Sequence, residues 1–325
     1  MLTRRTLLAS GAALLATGRF PSAAAGAYPS RPITIIVPTP PGSNAEVVLR
    51  LVGDRLTASL GQPVVIEHRP GAGGLIGARA VAGAAPNGYT LLFSTPGPLV
   101  VSTAVYRNPG YDPRTSFAPI ATLFSSPQML VVNPSIPVSS VAELVSYAKA
   151  NPGRVHFGSP GYGTQPHLLG EMLRLMTGIQ ITHVPYKGPA EAIRDLLAGQ
   201  VQMYFETIAL LLPYVEAGQL RALAVADQTR IPQLPQVPTT GESGYAAVQA
   251  VFWSGLLAPA GTPDAIVARL NREINAALAT RELEESLAKL SAKTKIGSPT
   301  DFAAFIESET RKWSGITTAA GIRVE

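Results

Sequence analysis

The chain has 325 residues, 46% of them hydrophobic and 14% charged, with a formal charge of +5 and no cysteine. Such a length and composition suit one large globular domain or two ordinary ones and exclude a disordered or fibrous chain. Without cysteine there can be no disulfide, no thiolate metal site and no lipid anchored through a cysteine at a cleavage point.

The first residues, "MLTRRTLLASGAALLATGRFPSAAAGAYPS", combine a basic start, an apolar run from about Leu7 to Thr17 and small residues ending at Ala27. They read as a secretory signal over residues 1–27, cleaved before Tyr28, so the mature protein is expected in an exported compartment. Arg4 and Arg5 also fit a twin-arginine signal, which leaves the export route open. Loss of Arg4, Arg5 and Arg19 lowers the formal charge from +5 to +2. The apolar run is too short to span a bilayer, and no later segment approaches roughly 20 apolar residues. No Lys and Arg cluster interleaved with aromatics occurs, so no nucleic-acid partner is expected.

Strand and helix signals then alternate, which predicts α/β architecture with largely parallel sheets. Ile33 to Val37 is a β-branched run suited to a buried strand, and from Ala45 the residues Val48, Leu51, Val52, Leu56 and Leu60 recur at helical spacing. Between them stand Pro40 and Pro41, which stiffen the turn, and Gly42, Ser43 and Asn44, which keep their N–H donors. Ser43 to Glu46 fits a capping box. A helix N-terminus at the carboxyl edge of a sheet is where unpaired N–H groups and the helix dipole receive anions, although Ser43 and water alone could satisfy such a turn.

Next come "PVVIEH", a helix from about Leu75 to Ala85, and "YTLLFST". "APIATLF" and "QMLVVN" follow around Pro127, then a helix from Ser140, whose Ser140 to Glu143 is a second capping box. "VHFGS", a helix of about Leu168 to Thr177, "QITHVPY", a helix stopped by Gly199, "VQMYFET" and "LRALAVAD" continue the alternation. Arg230 to Tyr245, dense in Pro, Thr and Gly, reads as a long irregular crossing. Beyond it lie "AVFWSGLLAP", a helix capped by Thr262 with Pro263 first, and two further helices ending near Ala320. Crossings near Pro127 and Val251 predict two lobes, residues 28–127 with 252–325 and residues 128–251.

"PGAGGLIGA" invites a dinucleotide reading, but Ile76 stands where the third glycine belongs. No G-x-S-x-G, phosphate-loop lysine motif or H-E-x-x-H occurs. The histidines, His68, His156, His167 and His183, lie singly along the chain and read as structural hydrogen-bonding residues. "GSPGYGTQPHLL", Gly158 to Leu169, repeats the design of the first turn: strand, proline, glycines, then a helix with Thr164 as cap. Two such loops facing one another could hold one anionic group between them.

The blocks "IVPTPPGSNAEVVLR", "LGQPVVIEHRPGAGGLIGA", "APNGYTLL", "GSPGYGTQPHL", "THVPYKGPAEAIRDLLAGQV", "GQLRALAV", "LPQVPTTGESGY", "FWSGLLAPAGTP" and "FAAFIESETRKW", in this order, resemble the extracytoplasmic solute receptors of tripartite tricarboxylate transporters, the Bug family. The resemblance covers essentially the whole mature chain. It implies a two-lobed, type II periplasmic binding protein that closes a central cleft on a small organic mono- or dicarboxylate, as a monomer without catalytic residues, cofactor or metal, and delivers it to transmembrane permease subunits. By position it carries ligand-binding roles onto Thr39, Pro40, Pro41, Gly42 and Ser43 and onto Ser159, Gly161, Gly163 and Thr164. Thr95, Gly97, Tyr186 and Glu206 are expected to shape the far end of the pocket. The family usually has an aromatic at Thr39, glycine at Ser43 and aspartate at Glu46 and Glu206. Thr39 is therefore expected to leave the cleft roomier and more polar, and Glu206 to reach further into it, while Lys187 reads as a solvated lysine beside the cleft. Two alternatives are an exported α/β hydrolase of carboxylate esters, with Ser159 near His167 as its one testable arrangement, and a receptor presenting ligand to a sensor kinase.

Overall fold

The computed structural model describes residues 28–39, 41 and 44–322. The leader, Pro40, Gly42 and Ser43, and with Ser43 the first capping box, lie outside the described residues.

The chain begins with β1 (Ile33–Val37), α1 (Asn44–Leu60), β2 (Val64–His68), α2 (Leu75–Ala82) and β3 (Thr90–Ser94). β1 lies between β2 and β3, parallel to both, with Ile35 opposite Ile66 and Leu91. A π-helical turn (Gly97–Val101) and a single turn, α3 (Ser102–Val105), come next. "GPLVVSTAV" is apolar without a repeat, so sequence spacing gives no helix there.

"APIATLF" and "QMLVVN" are one strand, β4 (Phe117–Val132), that runs straight through Pro127. From it the chain enters α4 (Val141–Ala150), β5 (Val155–Ser159), α5 (Gln165–Thr177), β6 (Ile181–Pro185), α6 (Pro189–Leu197), β7 (Met203–Thr207), α7 (Ile208–Glu216) and β8 (Arg221–Val225). Helix α7, "IALLLPYVE", also lacks a readable period, being apolar almost throughout with Pro213 inside. After the irregular crossing come β9 (Val251–Pro259), α8 (Asp264–Leu278), α9 (Arg281–Lys289), β10 (Lys293–Thr294) and α10 (Pro299–Ala320).

The strands form one hydrogen-bonded path, β2-β1-β3-β9-β4-β7-β5-β6, with β8 and β10 also pairing β4. β4 is the joint of this path. From Phe117 to Pro127 it is antiparallel to β9, with Pro127 opposite Val251, and from Gln128 to Val132 it is antiparallel to β7. Partner strands thus change between Pro127 and Gln128, where the sequence placed a crossing.

Two of the expected caps differ in detail. The Ser140 side chain accepts from the Glu143 N–H at 3.1 Å, but Glu143 accepts from the N–H and hydroxyl of Ser139, not from Ser140. Pro263 occupies the cap position of α8, while the Thr262 hydroxyl donates to the Pro259 carbonyl at 2.7 Å. A complete capping box stands instead at Ser298 and Asp301, opening α10.

Candidate functional site

The carboxyl ends of β1, β2 and β3 bring three turns together. A Cβ on Gly77 would lie 2.9 Å from the Arg69 carbonyl and from Pro38, and one on Gly74 would lie 2.5 Å from Pro98. Only glycine lets "PGAGGLIGA" pack this closely, so its glycines serve loop packing rather than a dinucleotide. The Ser102 hydroxyl donates to the Gly73 carbonyl, and the Tyr111 hydroxyl to that of Pro98, which fixes the segment after Thr95 and Gly97 against the same edge. His68, at the end of β2, contacts the Thr39 carbonyl through Nδ1 at 2.8 Å and Glu46 through Nε2 at 3.3 Å. Thr39 is half-buried and Pro41 exposed.

The second loop reaches this edge. A Cβ on Gly163 would lie 3.6 Å from Val105 and 3.7 Å from Val101. Thr39, Thr95 and Gly97 are thereby linked through Pro38, Gly74, Pro98 and Val101 to the loop carrying Ser159, Gly161, Gly163 and Thr164. Tyr186 joins them through its N–H, which donates to the Ser159 carbonyl at 2.9 Å. Its ring, however, lies beside Gly158, and burial together with hydrogen bonding to Asp195 pushes its hydroxyl up to about 12. Lys187 is exposed, as expected.

Internal hydrogen bonds shape the loop. The Ser159 hydroxyl accepts from the Gly161 N–H at 3.1 Å and lies 2.6 Å from His183 Nε2. The Gly163 N–H donates to His167 Nδ1 at 3.1 Å, and the Thr164 hydroxyl donates to the Gly161 carbonyl at 2.8 Å. Thr164 holds the cap position of α5 but gives it no side-chain cap, so the first-turn N–H groups face the loop without that acceptor. Glu206 departs from expectation. Its carboxylate accepts from the Tyr204 hydroxyl and the Thr207 N–H, each at 2.7 Å, and the residue is 7% exposed. Burial raises its pKa and draws both oxygens onto donors of its own strand, so the longer side chain folds back instead of extending.

Histidines that are scattered in sequence meet here. His167 on α5 and His183 on β6 stack with ring centres 3.9 Å apart, Phe157 packs against both, and Tyr162 stands edge-on to both. Burial, with His183 beside it, lowers the His167 pKa to about 3, and burial lowers that of His183 to about 4, so both rings are neutral. The partner of Ser159 is His183, not His167, because the parallel register sets Phe157 opposite His183 and Ser159 lies one strand repeat further on. His183 Nδ1 is buried without a hydrogen-bond partner among the described residues, so no carboxylate orients the ring as a hydrolase triad requires. Sequence spacing alone shows none of this; the signal lay in two histidines at equivalent depth on a strand and the helix packed over it.

Residues 48–322 match the family described as "Tripartite tricarboxylate transporter family receptor". The chain belongs to this family. Among its relatives is protein BugT of Bordetella pertussis, 38% identical over 322 residues, 99% of each chain. Among solved structures, an R. palustris protein with adipate is 38% identical, with a TM-score of 0.81 over 91% of this chain and 99% of that one. MatC from Rhodopseudomonas palustris with bound malate is 31% identical, with a TM-score of 0.78 over 89% and 99% of the two chains.

As a tripartite tricarboxylate transporter receptor, the chain has the fold of a two-lobed periplasmic binding protein. A depression of about 500 Å³ lined by Met172, Leu175, Met176 and Ile316 opens between α5 and α10; it contains none of the loop residues named above.

Proposed function

We propose that this receptor is exported to the periplasm, captures a small mono- or dicarboxylate between its lobes, residues 28–127 with 252–325 and residues 128–251, and passes it to the permease subunits of a tripartite tricarboxylate transporter. The observation that carries this reading is the approach of the Gly163 loop to Val101 and Val105, which sets the uncapped first turn of α5 near the segment that follows β3. Two relatives bound to adipate and malate support a carboxylate as the ligand class. The Gly161 and Gly163 N–H groups already have acceptors, the Ser159 hydroxyl and His167 Nδ1 on α5, so they preorganise the loop. The ligand carboxylate is received by the N-terminus of α5 and the turn after β1, while the Ser159 and Thr164 hydroxyls brace the loop by donating to the Gly161 carbonyl. Neutral donors suit a carrier, since several modest hydrogen bonds hold the anion and still release it.

The test is a thermal-shift and calorimetric panel that pairs each acid with its amide. Acids are expected to raise the melting temperature and amides not to; a tenfold excess over Kd adds about 1.4 kcal/mol of stability. Amides that stabilise as well as their acids would refute carboxylate recognition. The Ser159 and His183 contact favours an esterase as the second reading. Ester turnover abolished in Ser159→Ala, with affinity for the acid kept, would establish it.

A further inference from the structure

Gln165 is the first residue of α5, directly after the ligand loop, and its side chain turns away from that loop toward the joint of the sheet. Its Nε2 donates to the Val251 carbonyl at 3.1 Å, and its Oε1 accepts from Gln128 Nε2 at 2.9 Å. A carbonyl can only accept, so the contact with Val251 fixes which way the amide points and leaves Oε1 for Gln128. Gln128 is where β4 changes partners, and Val251 is the first residue of β9, opposite Pro127. One side chain therefore holds both crossing strands at the point where they enter the second lobe. Both glutamines are buried, at 4% and 1% exposure, and Gln128 Oε1 has no partner among the described residues. Buried amides in an otherwise apolar region are directional in a way that leucine contacts are not, since a shift of about 1 Å breaks them.

We propose that Gln165 is a positioning residue that couples ligand capture at the Ser159–Thr164 loop to the angle between the lobes, by strapping the N-terminus of α5 to both crossing strands. This rests on the lobe-closure reading above. Ligand held at the first turn of α5 shifts that turn, and the shift reaches Gln128 and Val251 through the two amide bonds. The strap favours one set of lobe angles and makes closure respond to the loop. Gln165→Met keeps the volume and removes both bonds; Gln128→Met removes one and leaves the bond to Val251.

The absence of native cysteine allows spin labels at Ala58→Cys on α1 and Ala150→Cys on α4, both exposed and on different lobes. Interlobe distances are measured by pulsed electron resonance without ligand and with adipate, malate and whichever acid the panel finds to stabilise most. Gln165→Met is expected to broaden the ligand-free distribution about twofold, to shrink the ligand-induced shift and to weaken the stabilising acid about fivefold to tenfold, the effect of one or two net hydrogen bonds. Gln128→Met is expected to give a smaller change of the same kind, and it carries the test if Gln165→Met does not fold. Variants that lose melting temperature but keep the wild-type distribution and ligand response would overturn the coupling and leave Gln165 a packing residue. An unchanged wild-type distance on saturation with acid would instead refute lobe closure. If no acid binds, the ligand-free distributions alone decide whether the strap sets the lobe angle.

Discussion

Replacing Glu309 by leucine removes the acceptor on which two buried indoles depend. Glu309 Oε2 accepts from Trp313 Nε1 at 2.9 Å and Trp253 Nε1 at 3.2 Å, and both tryptophans are fully buried. Lys312 Nζ lies 3.8 Å from Oε1, with its pKa lowered by burial. Each indole N–H left without an acceptor costs about 1–3 kcal/mol, so Glu309→Leu is expected to lose about 2–6 kcal/mol. Glu309→Gln keeps one oxygen for the indoles but loses the charge, and is expected to lose about 1–2 kcal/mol. At about 2–4 °C per kcal/mol, leucine lowers the melting temperature by about 5–20 °C and glutamine by a few degrees. Urea unfolding followed by tryptophan emission measures both, with the slope against urea expected to hold. Because Trp253 lies on β9 and Trp313 on α10, the loss should also loosen the last helix from the crossing strand. A leucine variant as stable as glutamine or wild type would refute the claim that these N–H groups require Glu309.

Gly170→Ala would place a Cβ 2.3 Å from the Phe157 ring, which must move and take its histidine neighbours with it. Overpacking costs about 1–3 kcal/mol against the roughly 1 kcal/mol that alanine adds to a helix, so a net loss of stability with weaker ligand binding is expected in chemical denaturation and calorimetry; a more stable variant with unchanged binding would count against it. The pKa values of His167, about 3, and His183, about 4, lie below the usual 6.5, so between those limits the unfolded chain binds more protons. Stability is therefore untouched above about pH 7 and falls as pH drops through 6.5. At pH 5 the loss is about 2 kcal/mol from His167 and less from the more solvated His183. His167→Asn, which can still accept from the Gly163 N–H, should be less sensitive between pH 7.5 and 5 by about that amount; an identical pH slope would show that the ring is not held neutral.

Strands and helices with a clean period were legible. Val48, Val52 and Leu56 mark the buried stripe of α1, and the β-branched run of β1 is buried as read. The segments that escaped, Gly97 to Val105 and Ile208 to Glu216, are apolar on all sides, so no period distinguishes helix from loop. The change of partners along β4 was legible as two runs on either side of Pro127; that they form one strand was not, since proline normally argues against a strand interior. The two loops proposed to receive the ligand were legible as strand-to-helix turns from their proline and glycine punctuation. Their supports, His167, His183 and Gln165, were not, because each acts on a segment distant in sequence and only tertiary pairing brings them together.

The apolar cluster that includes Leu92, Leu99 and Trp253 continues without a break to Leu130, Phe157 and Leu168. A contiguous cluster of this kind resists being pulled open, since every 100 Å² of it exposed to water would cost about 2.5 kcal/mol. Any relative motion of the strands it spans that slides these side chains past one another and keeps them dry escapes that cost.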